Sequence, residues 1–270
     1  MGHPCRRPAK AVISAASLCM LAVLSGCSLR PGSGPSSPSA GPPAPTTAHS
    51  AVQRASAAFS FTVTGTHPVQ PNGSQDTHAQ TPGTSCASAT FASDHALGVR
   101  IARGFSLAGF PVGAELLTHF LQGKGTRVAY RAGTPISKKA QASSAFQAVN
   151  NAVQAEVLSQ LKAGRTHVRL SAAQLPTVAF GSQTSDLYWG FRGTQGLAVT
   201  GSGGRAHGRY TGTLSYVIRD SYGFPVGDTL GGFGPPMRYL QTACGAPQHR
   251  GGARWFPDTI TVTVPFNHPA

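Results

Sequence analysis

Acidic residues are the scarcest groups in this chain that could carry acid–base chemistry. Only 8 Asp and Glu residues occur among 270, and paired-carboxylate hydrolysis would have to draw on them. Glu115 and Glu156 fall in helical patterns, where a solvated face or a helix cap is the simplest interpretation. The remaining candidates are Asp76, Asp94, Asp186, Asp220, Asp228 and Asp258.

Asp220 has the most suggestive setting. It ends an apolar strand pattern and is followed by Tyr222 and Phe224, and an aspartate there can form an Asx-turn. The Asp-x-Tyr pattern at a strand end resembles part of the active-site motif of colicin M-like bacteriocins, with only Asp220 and Tyr222 matching. The resemblance implies hydrolysis of lipid-linked cell-wall precursors. In the alternative interpretation the aspartate ends a strand and the two rings pack at the sheet edge.

Two aromatic clusters adjoin arginines. Tyr188 and Trp189 precede Arg192, and Arg254 precedes Trp255. Aromatic rings beside guanidinium groups would suit a groove for a sugar polymer or a peptide. The alternative is a sheet core with stacked guanidinium groups. The histidines are dispersed, without a His-x-x-x-His pair, so we expect no metal site and no cofactor.

The N-terminus looks like an export signal. Three basic residues precede an apolar stretch of about 14 residues, 11–24, which is shorter than the roughly 20 residues that span a membrane. Residues 24–27, Leu-Ser-Gly-Cys, resemble the lipobox of bacterial lipoproteins. The resemblance implies a signal peptide over 1–26 and lipidation of Cys27, and hence an anchor on the extracytoplasmic face of the cell membrane. A short transmembrane anchor is the alternative.

Cysteine usage agrees with export. Once Cys5 and Cys19 leave with the leader and Cys27 carries lipid, Cys86 and Cys244 remain. In an oxidising compartment such a pair predicts one disulfide, and two buried thiols are the alternative. Neither cysteine has a second cysteine or a histidine two to four residues away, which argues against a metal site.

Composition separates a tether from a folded part. Residues 27–57, from the lipidated cysteine onward, are rich in Pro, Ser and Gly and should be disordered. Residues 58–270 are long enough for one α+β domain with a hydrophobic core.

Charge and composition narrow the partners. Removing the leader leaves 19 basic against 8 acidic residues, a charge near +11, which favours phospholipid headgroups or anionic envelope polymers. Export and the scattering of the basic residues argue against nucleic acid. The Ala, Gly, Pro and Arg bias resembles that of actinobacterial proteins.

Apolar patterns predict helices first and strands later. Helices are expected where apolar residues recur every three or four positions and strands where they alternate. The predicted helices are 94–103 (capped by Asp94), 111–121, one from Ser143 or Ser144 to Gly164, and 236–243. The predicted strands are 59–63, 86–91, 168–170, 178–180, 197–199, 211–218 and 259–264, with a glycine-rich turn at 201–204. This order predicts an α+β fold, with helices from the N-terminal half packed on a mainly antiparallel sheet from the C-terminal half.

Overall fold

The structure, a computed structural model of the whole chain, describes residues 59–70, 86–181, 185–192, 194–225, 227, 232–245 and 252–270. The predicted leader, the lipidation of Cys27 and the linker to residue 57 lie outside this range and stay predictions. All of the described residues belong to one compact unit. Within the described residues, no helix has the length and apolar character needed to cross a membrane.

Helices and strands are interspersed along the described chain. The strands are β1 (Ser60–His67), β2 (Val128–Tyr130), β3 (His167–Leu170), β4 (Gly196–Ala206), β5 (Arg209–Tyr222) and β6 (Phe256–Pro269). The helices are α1 (Ser88–Leu107), α2 (Pro111–Leu121), α3 (Pro135–Ala142), α4 (Ser144–Lys162), α5 (Asp186–Phe191) and α6 (Gly234–Thr242).

The strands form one mixed sheet in the order β2-β6-β5-β4-β1-β3. The pairs β1/β4, β4/β5 and β5/β6 are antiparallel, whereas β1/β3 and β2/β6 are parallel. Parallel neighbours need long crossovers, and α1 to α4 lie in the crossover from β1 to β3. The class is α+β, as expected. Helices and strands are not divided between the two halves of the chain, because β1 and β2 come early and α5 and α6 come late.

Helix α4 covers the centre of the sheet. Tyr216 on β5 lies directly opposite Val262 on β6, and both are fully buried. The ring of Phe146 in α4 meets the Tyr216 ring at 5.1 Å between centroids, and the Tyr216 hydroxyl donates to Oδ1 of Asn150 at 2.9 Å. Helix and sheet are therefore joined by ring packing and by a hydrogen bond inside the core.

The ends of α4 agree with the sequence prediction. The Ser143 hydroxyl accepts a hydrogen bond from the amide of Phe146 at 3.2 Å, as an N-cap does. Beyond the last turn Gly164 has φ +82°, the left-handed conformation that glycine adopts readily at a helix end.

The beginning of α1 contradicts the sequence prediction. The expected strand at 86–91 is wrong, because α1 begins at Ser88, and Asp94 lies inside the helix instead of capping it. The only buried residues of this 20-residue helix are Gly98 and Ala102. Partly buried residues of α1, among them Phe91 and Phe105, also pack against the core. The start of the helix was missed because no capping side chain marks it: Ala87 stands at the N-cap and forms no cap hydrogen bond.

The glycine-rich segment 201–204 is not the expected turn, because it lies inside β4. A Cβ atom on Gly203 would lie 2.2 Å from the carbonyl oxygen of Thr211 on β5, so glycine here permits close approach of two strands. The hairpin turn comes later, at His207 and Gly208, with φ 50° and 69°. Two successive positive φ values are typical of a two-residue type I′ hairpin turn.

Most of the other predicted strands are confirmed. The segment 178–180 belongs to no strand, although Val178 and Phe180 are buried in the core. Burial without strand pairing explains why its apolar spacing was misleading. The confirmed segments are 59–63, 168–170, 197–199, 211–218 and 259–264, which lie in β1, β3, β4, β5 and β6.

A disulfide joins Cys86, just before α1, to Cys244, just after α6, with 4.9 Å between the Cα atoms. Beside it, the amide of Ala87 donates to the hydroxyl of Tyr239 at 2.8 Å. The first turn of α1 is thereby attached to α6.

Candidate functional site

Two aspartates face each other where β5 and β6 pair. Asp220 and Asp258 are direct cross-strand partners, and both belong to the alternating set that points into the core. Cross-strand partners have their Cβ atoms about 5 Å apart. Asp220 is 6% exposed and Asp258 is fully buried, so the fold brings two carboxyl groups together away from water.

Burial sets the ionisation of this pair. Burial raises the pKa of Asp258 well above its usual range, and the negative charge of Asp220 raises it further. Burial also raises the pKa of Asp220, against the opposing effects of a hydrogen bond from the Ser221 amide and of the positive charge of Arg192. Among the described residues, no residue other than Asp258 itself donates a hydrogen bond to its carboxyl oxygens. We therefore expect the pair to retain a proton at neutral pH.

Tyr130 on β2 lies close to the same charges. Its hydroxyl oxygen is buried. Burial raises its pKa most, followed by the negative charge of Glu115, by a side-chain hydrogen bond with Glu115, and then by the charges of Asp258 and Asp186. Four of the 8 acidic residues therefore act electrostatically on this end of the sheet: Glu115, Asp186, Asp220 and Asp258.

Asp186 has a structural task in this cluster. Its Oδ1 accepts hydrogen bonds from the amides of Val112 and Gly113, at 2.9 and 3.1 Å, and its Oδ2 accepts one from Nζ of Lys139 at 2.9 Å. The side chain of Phe110, the residue before α2, makes no cap hydrogen bond. A side chain from α5 therefore supplies the N-terminal cap that α2 lacks locally.

The Asp-x-Tyr pattern packs into the core. Both side chains point to the same face because alternate residues of a strand do so. The Tyr222 ring stacks on Phe256 at 5.4 Å and 18°, and Phe224 contacts Phe120 at 5.0 Å between centroids. The rings pack as the alternative interpretation expects. The expected strand end at Asp220 is wrong, because β5 continues to Tyr222 and Asp220 pairs with Asp258 inside the sheet.

The two aromatic clusters lie at opposite ends of α2. Trp189 packs on Phe105 at 4.8 Å between ring centroids, near the start of α2, and the Arg192 guanidinium lies 5.8 Å from the Tyr188 ring centroid. At the other end, the backbone amide of Arg254 donates to the carbonyl of Phe120 at 3.2 Å.

Arg254 and the neighbouring Trp255 also lie beside the loop after α2. A Cβ atom placed on Gly125 would be 3.6 Å from the Arg254 side chain and 3.6 Å from the carbonyl oxygen of Trp255. The fold therefore does not combine the two predicted binding clusters into one groove. One cluster is Tyr188, Trp189 and Arg192, and the other is Arg254 and Trp255.

A cleft that the sequence did not reveal lies between α1 and α2. The two helices run antiparallel, since Gly98 meets Leu121 near one end and Phe105 meets Gly113 near the other. The cleft has a volume of about 740 Å³, within the range of about 300–1,000 Å³ typical of small-molecule sites. Its apolar lining includes Val99, Ala102, Pro111, Ala114 and Leu121.

Polar residues line both ends of this cleft, called the α1–α2 groove below. Arg103 and Glu115 lie towards the turn between the helices, and His95 and His119 lie towards the other end. His119 is held by Thr126, whose carbonyl oxygen lies 2.9 Å from Nε2. These residues form a groove only because α1 and α2 pack together, so the sequence did not predict it. The one pattern in the sequence that pointed to it is the four-residue spacing of Glu115 and His119, which places both on one face of α2.

Arg103 and Glu115 are both exposed and form no ion pair with each other or with any other described residue. The ion pair that the described residues do form joins Lys139 and Asp186. A smaller cleft of about 410 Å³ adjoins that pair, where the two charges already satisfy each other. The unpaired charges therefore make the α1–α2 groove the better candidate for a polar ligand.

Within the described residues, no group of three or more His, Cys, Asp or Glu side chains is arranged to hold a metal ion. No protein-family model matches this chain, and no curated protein or solved structure resembles it significantly. Arguments about function therefore depend on the site itself.

Proposed function

We propose that this chain is a lipoprotein anchored in the cell membrane on its extracytoplasmic face, and that its folded domain binds an envelope component without catalysis. The observation that carries the binding role is the α1–α2 groove, about 740 Å³ with apolar walls and polar ends. A concave, mostly apolar site with a few polar groups is typical of small-molecule binding.

The anchor is supported by the N-terminal sequence. A basic start, a short apolar stretch and Leu-Ser-Gly-Cys at 24–27 favour lipidation of Cys27, and two acyl chains would hold the protein stably. The excess of basic residues in the mature chain favours contact with anionic phospholipid headgroups or envelope polymers.

Fractionation tests the anchor. Cells that express the full chain should retain it in the membrane pellet, and the Cys27→Ala variant should leave that pellet after a high-salt wash. Equal retention of both proteins would contradict anchoring through this cysteine.

Co-sedimentation tests the binding role. The mature chain from Ser28, without lipid, is mixed with isolated membranes or cell walls of the producing organism. Ala114→Trp fills the groove, and Ala96→Trp is the matched control at an exposed position of α1 outside it. We expect binding to one fraction that Ala114→Trp abolishes and Ala96→Trp leaves intact. Binding to neither fraction would refute the proposal.

The alternative is a cell-envelope hydrolase or toxin-like domain using Asp220 and Tyr222. Raised carboxyl pKa values are typical of catalytic sites, which favours it. The burial of both side chains opposes it, because a general acid or base must reach its substrate. Asp220→Asn and Tyr222→Phe should leave envelope binding unchanged under our proposal. Cleavage of a lipid-linked wall precursor by the wild type, and its loss in Asp220→Asn, would favour the hydrolase.

A further inference from the structure

The charges at the turn end of the α1–α2 groove come from opposite walls. Arg103 lies four residues before the end of α1, and Glu115 lies four residues after the start of α2. At 1.5 Å per residue, each is about 6 Å along its helix from the connecting turn. Because the helices are antiparallel, the two side chains are at about the same level of the groove.

Both charges are exposed to solvent. Neither Arg103 nor Glu115 has an oppositely charged side chain within ion-pair distance in the described part of the chain. The Tyr130 hydroxyl interacts with the Glu115 carboxylate but leaves its negative charge without a cationic partner. A ligand with a single charge would satisfy one of them and leave the other facing it with like charge. A headgroup with an anion and a cation a few ångströms apart would satisfy both.

The rest of the groove offers an apolar surface to the body of a ligand. From the charged end, the walls continue through Ala102 and Val99 of α1 and Leu121 of α2, with Thr118 and Gln122 beside them. The distance along α1 from Arg103 to His95 is about 12 Å at the rise of an α-helix. A single extended hydrocarbon chain fits an elongated apolar groove of this kind better than a flat or branched polar ligand does.

We propose that the α1–α2 groove binds a zwitterionic single-chain amphiphile, a lysophospholipid with a phosphoethanolamine head. Its phosphate faces Arg103, whose planar guanidinium suits bidentate contacts with phosphate oxygens. Its ammonium group faces Glu115, and its acyl chain lies along the apolar walls. The inference rests on the proposed binding role of the groove and names the class of ligand.

Three probes that share a 14-carbon chain test the headgroup preference. They are myristoyl lysophosphatidylethanolamine, tetradecyl phosphate and tetradecylammonium, titrated calorimetrically into the mature chain below their critical micelle concentrations. We expect the zwitterion to bind about tenfold more tightly than either singly charged probe, since one charge-assisted contact contributes roughly a factor of ten.

Two variants should then change the preference in opposite directions. Arg103→Ala should lower the affinity for the phosphate probe and the zwitterion about tenfold and leave the affinity for the ammonium probe unchanged. Glu115→Gln should lower the affinity for the ammonium probe and the zwitterion and leave the affinity for the phosphate probe unchanged. Arg100→Ala, an exposed arginine on α1 that does not line the groove, is the control and should bind all three like the wild type.

The outcomes separate this inference from the proposed function. Equal affinity for all three probes, or equal effects of Arg103→Ala and Arg100→Ala, would overturn the headgroup assignment. If Ala114→Trp still abolished binding to the envelope fraction, the groove would remain the binding site and only the ligand class would fail. If Ala114→Trp changed neither probe binding nor envelope binding, both proposals would fail.

Discussion

At the scale of single residues, the Asp220–Asp258 pair places two carboxyl groups in surroundings that disfavour their ionisation. Asp258 lies between Phe256 and Ile260 on the core face of β6, and all three are fully buried. An ionised carboxylate there would lose its hydration, and a hydrogen bond from its own backbone amide, which lowers the pKa, does not offset the effect of burial. A protonated Asp258 avoids that cost, and the Arg192 charge then favours ionisation of Asp220.

This arrangement predicts how stability depends on pH. Above the ordinary aspartate pKa of about 3.9, the unfolded chain releases a proton that the folded chain keeps, because the folded pKa of Asp258 is raised. The contribution of this group to folding stability is therefore most favourable below that value, and it decreases as the pH rises towards the folded pKa.

Asp258→Asn should remove this pH dependence. The amide resembles the protonated carboxyl group, so the variant should be more stable than the wild type at pH 8, with a smaller difference at pH 4. Urea unfolding across this range measures the effect. Ser221→Ala, which keeps both carboxyl groups, should follow the wild-type slope. A variant curve parallel to that of the wild type would contradict a proton held at Asp258.

At the scale of elements, α2 depends on a side chain from a distant part of the chain. Asp186 accepts hydrogen bonds from two amides in the first turn of α2 and from Lys139 of α3. Since α2 forms one wall of the groove, the Asp186 contacts also hold that wall in place.

Asp186→Ala should lower the free energy of unfolding by about 2 kcal/mol, because two buried amides lose their acceptor. Lys139→Ala should cost less than about 1 kcal/mol, since the lysine side chain is 48% exposed. Lys138→Ala, at the exposed neighbouring residue, serves as the control and should be neutral. Urea denaturation of the three variants measures these changes in the free energy of unfolding. An equal decrease for Asp186→Ala and Lys139→Ala would assign the stabilisation to the ion pair instead of the cap.

At the scale of the whole molecule, the disulfide attaches α1 to the rest of the domain. Helix α1 fully buries only Gly98 and Ala102, and its large apolar side chains, such as Phe91 and Phe105, are only partly buried against the core. The bond between Cys86 and Cys244 spans 158 residues, and constraint of so long a loop in the unfolded chain stabilises the fold by up to about 5 kcal/mol.

The Cys86→Ser, Cys244→Ser double variant should be less stable than the wild type by about 2–5 kcal/mol, as judged by thermal unfolding. The first loss of structure should be in α1, where hydrogen exchange should become faster before it does in α4. Mass spectrometry of non-reduced peptides from the exported protein should recover the two cysteines linked. Two free thiols in that sample would refute the disulfide.

The sequence was informative wherever the evidence was local. Helices α2 and α4 follow from apolar residues on one face and from the glycines after them, Gly123 and Gly164. Most strands follow from alternation, and the disulfide agrees with the pairing predicted for Cys86 and Cys244. The α+β class could therefore be predicted, whereas the start of α1 was missed because no capping side chain marks it.

What only the tertiary structure decided depends on residues far apart in the chain. The pairing of Asp220 with Asp258 follows from the register of β5 and β6, and the cap of α2 comes from Asp186, more than 70 residues after that helix begins. The groove exists because Gly98 lets α1 approach Leu121 of α2. Most of the local elements could be predicted from short-range patterns, whereas the leader and the linker before residue 58 stay predictions. Strand register and helix contact result from packing of the whole chain, which no short segment encodes.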